Sequence, residues 1–274
     1  MNWLESLIYG LVSGFTEFLP ISSQAHQQIL MSLFGVENRD PVRDLLVHIA
    51  MLFSIYYGCR GLIDNLRRER GQRHSRRTPM HVSQVLLDNR FVKNATVPML
   101  AGILILSYIV KINGNLLTVS LFLFINGLIL FISGRMLQGN KDVRSMSLLD
   151  SIFAGSLAAL SAFTGISRTG CITSATISRG ADRQNALNWA LLLSIPALLL
   201  LSGMDVLSII TNAGTIAFWK NFFTYIISAF GAYLSGFYGI MLMKFLAVGK
   251  GFSGFSYYCW GASLFSFLLY LTVA

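Results

Sequence analysis

The sequence has few charged residues and few cysteines. Charged side chains make up 12% of its 274 residues and hydrophobic ones 54%, whereas a soluble domain normally carries about 25% charge. That shortage excludes an ordinary soluble domain. Cys59, Cys171 and Cys259 lie far apart in or beside apolar segments, so they predict neither a disulfide framework nor a zinc motif. The first apolar run has no basic leader and no small-residue cleavage site, so we expect no cleavable signal peptide.

Long apolar runs take the place of the missing charge. Segments such as VPMLAGILILSYIV and LTVSLFLFINGLILFISG raise the mean hydropathy to +0.61, and about 20 apolar residues suffice for a helix to cross a bilayer. We therefore predict an all-α, polytopic membrane protein that forms a single membrane domain over residues 1–274. The predicted spans are residues 44–62, 92–111, 118–137, 185–203, 222–245 and 256–273.

Basic residues are concentrated between the first two predicted spans. The segment DNLRRERGQRHSRRTPMH, within a loop at residues 63–90, is rich in arginine. Lysine and arginine accumulate on the cytoplasmic side of membrane proteins, so we expect this loop to be cytoplasmic. That orientation also places most of the other basic residues on the cytoplasmic side. The net charge of +9 then reflects membrane topology, and we expect no nucleic-acid partner.

Two regions are apolar but interrupted too early to form two full spans each. Residues 1–34 and 148–180 both contain small and polar residues at their centre, which is typical of a re-entrant helical hairpin. Residues 4–25 also align without gaps on residues 149–170. We therefore predict inverted-topology repeats, each a re-entrant hairpin plus three transmembrane helices. Repeat one covers residues 1–137 and repeat two residues 148–273. Such repeats bring broken helices and a polar site together near the middle of the bilayer.

Arg168 lies in the interruption of the second region. An arginine at the centre of a helix in lipid costs about 2.5–3.5 kcal/mol on insertion scales, so we expect it to face a polar cavity. One explanation is an ion pair with Glu17. The other is an anion site, because flanking glycines and hydroxyls would expose backbone N–H groups beside a guanidinium that binds phosphoryl oxygens. The predicted phosphate-binding residues are Ser22, Gly165, Ser167, Arg168, Thr169 and Gly170.

The first interruption offers a nucleophile and a base. Ser23 and His26 are three residues apart, on one helix face if the helix resumes after Pro20. This spacing suits a hydroxyl nucleophile whose proton passes to an imidazole. Alternatively, Ser22 or Ser23 caps the helix and His26 is a hydrogen-bonded interior residue. Glu17 would orient His26, accept a proton or hold a divalent cation.

A second polar pair lies at the start of the first predicted span. Asp44 and His48 are four residues apart and form one polar stripe on an apolar helix. They line the mouth of the cavity or form a polar interface pair at the helix end. The sequence leaves both interpretations open.

At these segments the chain resembles the BacA/UppP family of undecaprenyl pyrophosphate phosphatases over essentially its whole length. GFTEFLPISSQAH is similar to the family segment E-G-x-T-E-F-L-P-[VI]-S-S-T-G-H, TGISRTG to P-G-x-S-R-S-G, and DLLVHIA to D-[VL]-L-L-H-L-G. By position, Glu17, Ser23, His26 and Arg168 match the functional residues of the family. Ser13 and Asn188 stand where the family has glutamates.

The resemblance implies hydrolysis of the terminal phosphate of the C55 polyprenyl pyrophosphate, which recycles the lipid carrier of envelope polymers. It implies a divalent cation, Mg²⁺ or Ca²⁺, with Glu17 as a metal ligand, and a bacterial inner membrane with the site open to the outer side. The expected partners are the lipid substrate and the bilayer, with a homodimer left open. The alternatives are a non-hydrolytic polyprenyl-phosphate transporter and an altered paralogue that acts on another lipid phosphate.

Overall fold

The computed structural model describes residues 1–62, 64, 90–109, 115–137, 139–141, 145–211, 218–248 and 253–273, and over these residues it is helical with no strand. This confirms the all-α prediction. The helices are α1 (Trp3–Glu17), α2 (Ser23–Leu33), α3 (Pro41–Gly58), α4 (Arg90–Ile109), α5 (Leu116–Arg135), α6 (Leu148–Ala159), α7 (Arg168–Ser178), α8 (Arg183–Thr211), α9 (Phe218–Val248) and α10 (Gly254–Val273). One turn of 3-10 helix, Leu160–Ala162, follows α6.

Each predicted span corresponds to one long helix: α3, α4, α5, α8, α9 or α10. By length and composition, α4, α5, α8 and α9 are able to cross a membrane, which fits a multi-pass membrane protein. Helices α3 and α10 have 18 and 20 residues, but polar side chains interrupt their apolar sequence. The basic loop predicted at residues 63–90 lies, apart from Asp64 and Arg90, outside the described residues.

The two interrupted regions each form a pair of short helices around a break. Helices α1, α2, α6 and α7 have 15, 11, 12 and 11 residues, all fewer than the roughly 20 that a straight crossing needs. Both pairs begin with a capping box, in which a side chain and a backbone N–H bond reciprocally. Asn2 forms it with Glu5, and Ser147 forms it with Asp150. The two hairpins therefore start with the same local device at aligned positions.

Each hairpin packs on a helix from the other half of the chain. Helix α1 packs on α9, and α6 packs on α4. Glycine permits both approaches: a Cβ at Gly10 would lie 2.1 Å from the Ser228 carbonyl oxygen, and one at Gly155 would lie 2.2 Å from the Ala95 carbonyl oxygen. Small residues allow helix backbones to approach this closely in membrane proteins. The hairpins are consequently locked between the two halves.

Serine hydroxyls join the long helices at several contacts. Ser120 on α5 and Ser263 on α10 each donate to the other's carbonyl oxygen, at 2.9 and 2.7 Å. Ser54 on α3 donates to the carbonyl oxygen of Tyr233 on α9 at 2.8 Å. Such hydroxyls find partners across helix interfaces where water does not reach. These bonds hold the scaffold on which the two hairpin breaks are mounted.

Apolar side chains bury the two hairpins on separate sides. One cluster includes Tyr9 and Phe18 from the first hairpin together with Met51 and Ile55 from α3, all at most 1% exposed. A second cluster packs around Trp189 of α8 and includes residues of α4, α6 and α7. The first break contributes Phe18 to the first cluster, and α7, which follows the second break, contributes Ile172 to the second. Well-packed neighbours thus hold both breaks in position.

Candidate active site

The hairpin breaks have backbone conformations that are unusual for L-residues. The first tip, residues 18–22, lies between α1 and α2, and the second tip, residues 163–167, precedes α7. Ser22 has a φ of 65°, which no other non-glycine residue among those described matches, and Gly165 has a φ of 129°. A positive φ is unfavourable for a residue with a Cβ. Strain of this kind persists only where the surroundings enforce it, and it concentrates at functional sites.

The two tips contact each other directly. The Gly165 N–H donates to the Ser22 hydroxyl at 3.2 Å, and the Ser167 hydroxyl donates to the Leu19 carbonyl oxygen at 3.3 Å. The Thr169 hydroxyl adds a bond to the Glu17 carbonyl oxygen at 3.3 Å. The predicted meeting of the two tips is therefore confirmed.

Asn126 on α5 bridges the tips and was not predicted. Its amide NH₂ donates to the Pro20 carbonyl oxygen, and its amide oxygen accepts from the Ser167 N–H, both at 2.9 Å. The side chain is fully buried. A polar residue in the middle of the run LFLFINGLIL is unusual for a lipid-facing helix. That signal in the sequence could have identified Asn126 as part of the site.

A polar cavity of about 210 Å³ opens beside the tips. Of the predicted site residues, it is lined by Glu17, Ser22, Ser23, Ser167 and Arg168. Gln24 and Gln27 of α2 add amide groups to the same wall. The cavity therefore combines hydroxyl, amide and guanidinium donors, which suit a phosphate, with the carboxylates of Glu17 and Asp205.

Arg168 and Glu17 form a buried ion pair within this cavity. Their side chains are 8% and 11% exposed, so the alternative interpretation of Arg168 as the partner of Glu17 is confirmed. The pair does not use the whole guanidinium, because the Nε of Arg168 is buried without a hydrogen-bond partner among the described groups. A buried donor without a partner is costly. It favours an anionic ligand that completes the guanidinium's hydrogen bonds.

Two predicted phosphate-binding N–H groups are already occupied. The Gly165 N–H bonds to Ser22, and the Gly170 N–H bonds to the Ser167 hydroxyl at 3.1 Å. The prediction that these N–H groups are free for phosphate was wrong, because α7 begins at Arg168 and Ser167 caps its first turn. Thr169 is buried, and its hydroxyl bonds to backbone. Gly165, Thr169 and Gly170 therefore shape the tips and are absent from the cavity lining.

Ser23 and His26 do not form the predicted pair. The Ser23 hydroxyl donates to the Ser13 carbonyl oxygen at 3.1 Å. Both ring nitrogens of His26 are engaged elsewhere, Nδ1 with the Ser22 carbonyl oxygen and Nε2 with the Tyr258 hydroxyl, each at 2.8 Å. Glu17 bonds to Arg168 and does not orient His26. The Ser22 carbonyl oxygen holds the imidazole away from the Ser23 hydroxyl, although the two residues are three positions apart on α2.

His26 instead lines a second, apolar cavity of about 810 Å³. Leu11 and Phe15 of α1, Leu30 of α2 and Phe265 of α10 form part of its wall. Helix α2 therefore separates two chambers. One face of this helix carries Ser23 to the polar cavity, and the other carries His26 to the apolar cavity.

The two residues of the second polar pair, Asp44 and His48, fit different interpretations. His48 lines the polar cavity, and its Nδ1 lies 2.7 Å from an oxygen of Asp205 on α8. Asp44 accepts from the Tyr9 hydroxyl at 2.7 Å and holds the helix end. Asp205 was missed because it lies beyond the predicted end of its span at residue 203. Arg39, from the loop before α3, completes the charged lining of the cavity.

The described residues contain no group of three histidine, cysteine, aspartate or glutamate side chains spaced to hold a metal ion. Glu17 is the carboxylate closest to the tips, and it is paired with Arg168. Two positions where the family has glutamates carry no carboxylate in this chain. Ser13 is fully buried on α1, and Asn188 is half-buried on α8. A divalent cation would therefore need phosphate oxygens and water in addition to Glu17, an arrangement that Mg²⁺ commonly uses.

Fold and site together define an integral membrane protein with a polar, anion-compatible cavity between two broken helical hairpins. The sequence pattern of one protein family, described as "Bacitracin resistance protein BacA", matches residues 6–265. The chain belongs to this family.

Individual relatives match over nearly the full length of both chains. A protein from Carboxydothermus hydrogenoformans named "Undecaprenyl-diphosphatase" is 31% identical over 95% of this chain and 94% of its own. Proteins with the same name from Methanobrevibacter smithii and Thermosipho melanesiensis are 30% and 29% identical, over 98% and 96% of this chain and 98% of each relative.

Proposed function

We propose that this chain hydrolyses the terminal phosphate of undecaprenyl pyrophosphate and releases undecaprenyl phosphate, the lipid carrier of cell-envelope polymers. The observation that carries this function is the shared lining of one cavity by Arg168, Glu17 and Ser23. The relatives named undecaprenyl-diphosphatase favour hydrolysis over the transport alternative. Recycling of this carrier also agrees with the family's description as bacitracin resistance proteins.

Phosphoryl transfer requires mainly positioning and neutralisation of charge. Arg168 provides the permanent positive charge, and its unpartnered Nε provides a donor. Helix α2 begins at the cavity without a side-chain cap, so the N–H groups of its first turn have no partner within the helix. The helix dipole is also favourable for an anion at this end. Pyrophosphate would therefore bind between the start of α2 and Arg168.

In this proposal Ser23 attacks the terminal phosphorus. Its Oγ would form the new P–O bond while the bond to the bridging oxygen breaks, and undecaprenyl phosphate would leave. Water would then cleave the phosphoserine and release inorganic phosphate. Direct attack by water is the alternative route to the same products. In either case His26 acts as a positioning residue, because its Nδ1 holds the carbonyl oxygen of the strained Ser22.

A divalent cation, Mg²⁺ or Ca²⁺, is part of this proposal. Glu17 would supply a carboxylate ligand, and the phosphate oxygens and water would complete the coordination. Bound there, the cation would neutralise charge on the pyrophosphate. Metal dependence is checked by comparing phosphate release in Mg²⁺, Ca²⁺ and EDTA.

The polyprenyl tail would occupy the apolar cavity on the other side of α2. This cavity has a nearly apolar lining, and it shares α2 with the phosphate site. Gly261 gives a direct test, because it lines the cavity and a Cβ there meets nothing within 4 Å. We expect Gly261→Leu to raise the KM for the C55 substrate about 10-fold, since it narrows the chamber. An equal increase for a water-soluble, short-chain pyrophosphate would contradict this location.

The proposed topology has six full spans and two re-entrant hairpins in a bacterial inner membrane, with residues 63–90 in the cytoplasm and the polar cavity open to the outer side. Its inverted repeats are supported by the reciprocal packing of α1 on α9 and α6 on α4. The reciprocal bonds of Ser120 and Ser263 agree with a pseudo-twofold axis between α5 and α10. Cysteine accessibility from each side of sealed vesicles tests the orientation, and light scattering in detergent tests for a homodimer.

The central experiment is phosphate release from C55 pyrophosphate by purified protein in detergent. We expect Ser23→Ala to lower turnover more than about 1000-fold, as loss of a nucleophile does. Ser32→Ala on the same helix is the matched control, because its hydroxyl bonds only to the Gln28 carbonyl oxygen. Full turnover by the Ser23 variant would exclude serine attack. Lipid movement without phosphate release by the wild-type protein would instead support a transporter.

A further inference from the structure

The polar cavity contains a histidine–carboxylate pair that lies outside both hairpin tips. His48 of α3 and Asp205 of α8 are joined at 2.7 Å, and their side chains are 13% and 18% exposed. Both residues line the cavity that also holds Ser23 and Arg168. The pair spans two packed helices, α3 and α8, so its position relative to the tips is fixed by the scaffold.

The hydrogen bonds of the two membrane-domain histidines differ. A carboxylate accepts from an N–H, so Asp205 favours the tautomer of His48 that carries its proton on Nδ1. Nε2 is then an acceptor, and among the described residues it has no hydrogen-bond partner. In His26, by contrast, the Ser22 carbonyl and the Tyr258 hydroxyl occupy both nitrogens. His48 is therefore the imidazole with a nitrogen free for proton transfer in the polar cavity.

We propose that His48 is the general base in both steps of the reaction and that Asp205 is its positioning residue. This rests on the proposed phosphatase function. As the Ser23 hydroxyl gives up its bond to the Ser13 carbonyl oxygen and its oxygen bonds to the terminal phosphorus, the proton passes to His48 Nε2, and undecaprenyl phosphate leaves with the bridging oxygen. In the second step His48 has returned its proton to solvent, and it takes one from the attacking water as phosphate is released. Asp205 holds the tautomer and stabilises the protonated ring, the role that a carboxylate has behind a catalytic histidine.

Several charged and titratable groups surround His48. Within the cavity it shares the space with Asp205, Glu17, Arg168 and Arg39. Other turns of α3 face Tyr9 of α1, which bonds to Asp44, and Tyr225, Tyr233 and Lys244 of α9. Of all these groups, Asp205 bonds to the ring itself. Replacing Asp205 should therefore affect the orientation of the ring more directly than any other single substitution around it.

The first test compares the two histidines in full-length protein in detergent. We expect His48→Gln to lower kcat about 100-fold or more, the usual contribution of a general base, with the KM within about 3-fold. His26→Gln should have a smaller effect on kcat. Asp182→Asn is the matched control for Asp205→Asn, because Asp182 precedes the same helix α8 but bonds to the Gln184 and Asn185 N–H groups away from the cavity.

The split between kcat and KM separates proton transfer from a structural role. Asp205→Asn should lower kcat with the KM within about 3-fold, because the ring loses the group that holds its tautomer. An unchanged kcat in both His48→Gln and Asp205→Asn, or a loss that lies in the KM, would overturn the assignment.

Histidine-labelled protein gives a readout that does not depend on activity. Nitrogen NMR should show His48 protonated on Nδ1, with its Nε2 signal shifting when inorganic pyrophosphate is added. A ring protonated on Nε2, or one that does not respond, would overturn the proposal even if the variants misfold. A wild-type protein that releases no phosphate would contradict the proposed function, whereas an active enzyme unaffected by His48→Gln would contradict this inference alone.

Discussion

The two hairpin tips are aligned in sequence but contribute opposite chemistry. The helix that follows the first tip has no side-chain cap, and the hydroxyl of the strained Ser22 accepts from the Gly165 N–H of the other tip. The second tip places its positive φ at Gly165, so Ser167 is free to cap α7 in the ordinary way. The uncapped helix supplies Ser23 to the cavity, and the capped helix supplies Arg168. Two tips with aligned sequences thus supply different groups to the cavity: the first a nucleophile and the second a cation.

This difference depends on where each tip can bend. The position aligned with Gly165 is Pro20, which fixes its own φ near −65° and so cannot adopt the left-handed turn. The turn therefore shifts to Ser22 in the first tip. One substitution within an aligned pair is enough to move the strained residue and to change which hydroxyl remains available for a cap.

The largest effect on catalysis should come from replacing Arg168, the cation that the second tip supplies. We expect Arg168→Ala to lower kcat/KM more than about 1000-fold, the scale on which an arginine at a transferring phosphoryl group acts. Arg168→Lys keeps the charge but loses the planar donor set, and it should recover about 10-fold of this loss. Arg135→Ala is the control, because Arg135 lies at the end of α5 against Phe131. Phosphate-release kinetics decide this, and a fully active lysine variant would contradict bidentate binding.

The next effect concerns the bend of the second tip. A Cβ at Gly165 would lie 2.5 Å from Phe122 Cβ and 2.9 Å from the Leu123 backbone nitrogen, at a φ of 129°. We expect Gly165→Ala to lower the free energy of unfolding by about 3 kcal/mol, from backbone strain and overpacking together. Thermal unfolding in detergent measures it. Gly203→Ala, where a Cβ meets nothing within 4 Å, is the control, and equal melting temperatures would show that the second tip tolerates a side chain.

The Asn126 bridge between the tips should contribute somewhat less to the free energy of unfolding. Asn126→Ala leaves the Pro20 carbonyl oxygen and the Ser167 N–H without their partner, and buried groups left unpaired cost about 1–3 kcal/mol each. We expect a loss of about 2 kcal/mol in unfolding free energy and a clear fall in turnover. Ser120→Ala, on the same helix but bonded to Ser263, should destabilise without this loss of turnover. The same ratio of activity to stability in both variants would argue against a bridge between the tips.

The smallest effect should come from the strained residue of the first tip. Ser22→Ala keeps the positive φ and loses the acceptor for the Gly165 N–H. Ser22→Gly loses the same acceptor but relieves the strain, since glycine adopts positive φ readily. We expect the glycine variant to be more stable than the alanine variant by about 1 kcal/mol. Denaturation in detergent compares them, and the reverse order would mean that the turn is not strained.

The fold could be predicted well from the sequence, because its spans depend on local apolar composition. The span predicted at residues 118–137 is the helix Leu116–Arg135, and the polar interruptions marked both hairpin breaks. The span predicted to end at residue 203 continues to Thr211. The added part contains Asp205, which bonds to His48 of α3, a contact between distant helices that the local sequence does not show.

The site could be predicted only in part. One of the two interpretations of Arg168 predicted its ion pair with Glu17, because a charge buried in lipid requires a partner. The direction of His26 could not be read from its spacing to Ser23, since it depends on the single carbonyl that holds the ring. The His48–Asp205 pair joins residues 157 positions apart. No local pattern encodes such a contact, which exists only once α3 and α8 have packed.

The interlocking of the hairpins also constrains how the protein is made. The Ser228 hydroxyl on α9 bonds to the Ser6 carbonyl oxygen, 222 residues earlier in the chain, and the Gly10 surface of α1 rests on the same helix. During synthesis from the N-terminus, the first hairpin emerges long before the helix that covers it. The small-residue face of this hairpin therefore has no α9 to pack against until almost the entire polypeptide has been inserted. Ribosome-stalled chains that end before α9 should accordingly expose this hairpin to protease, and only nearly complete chains should protect it.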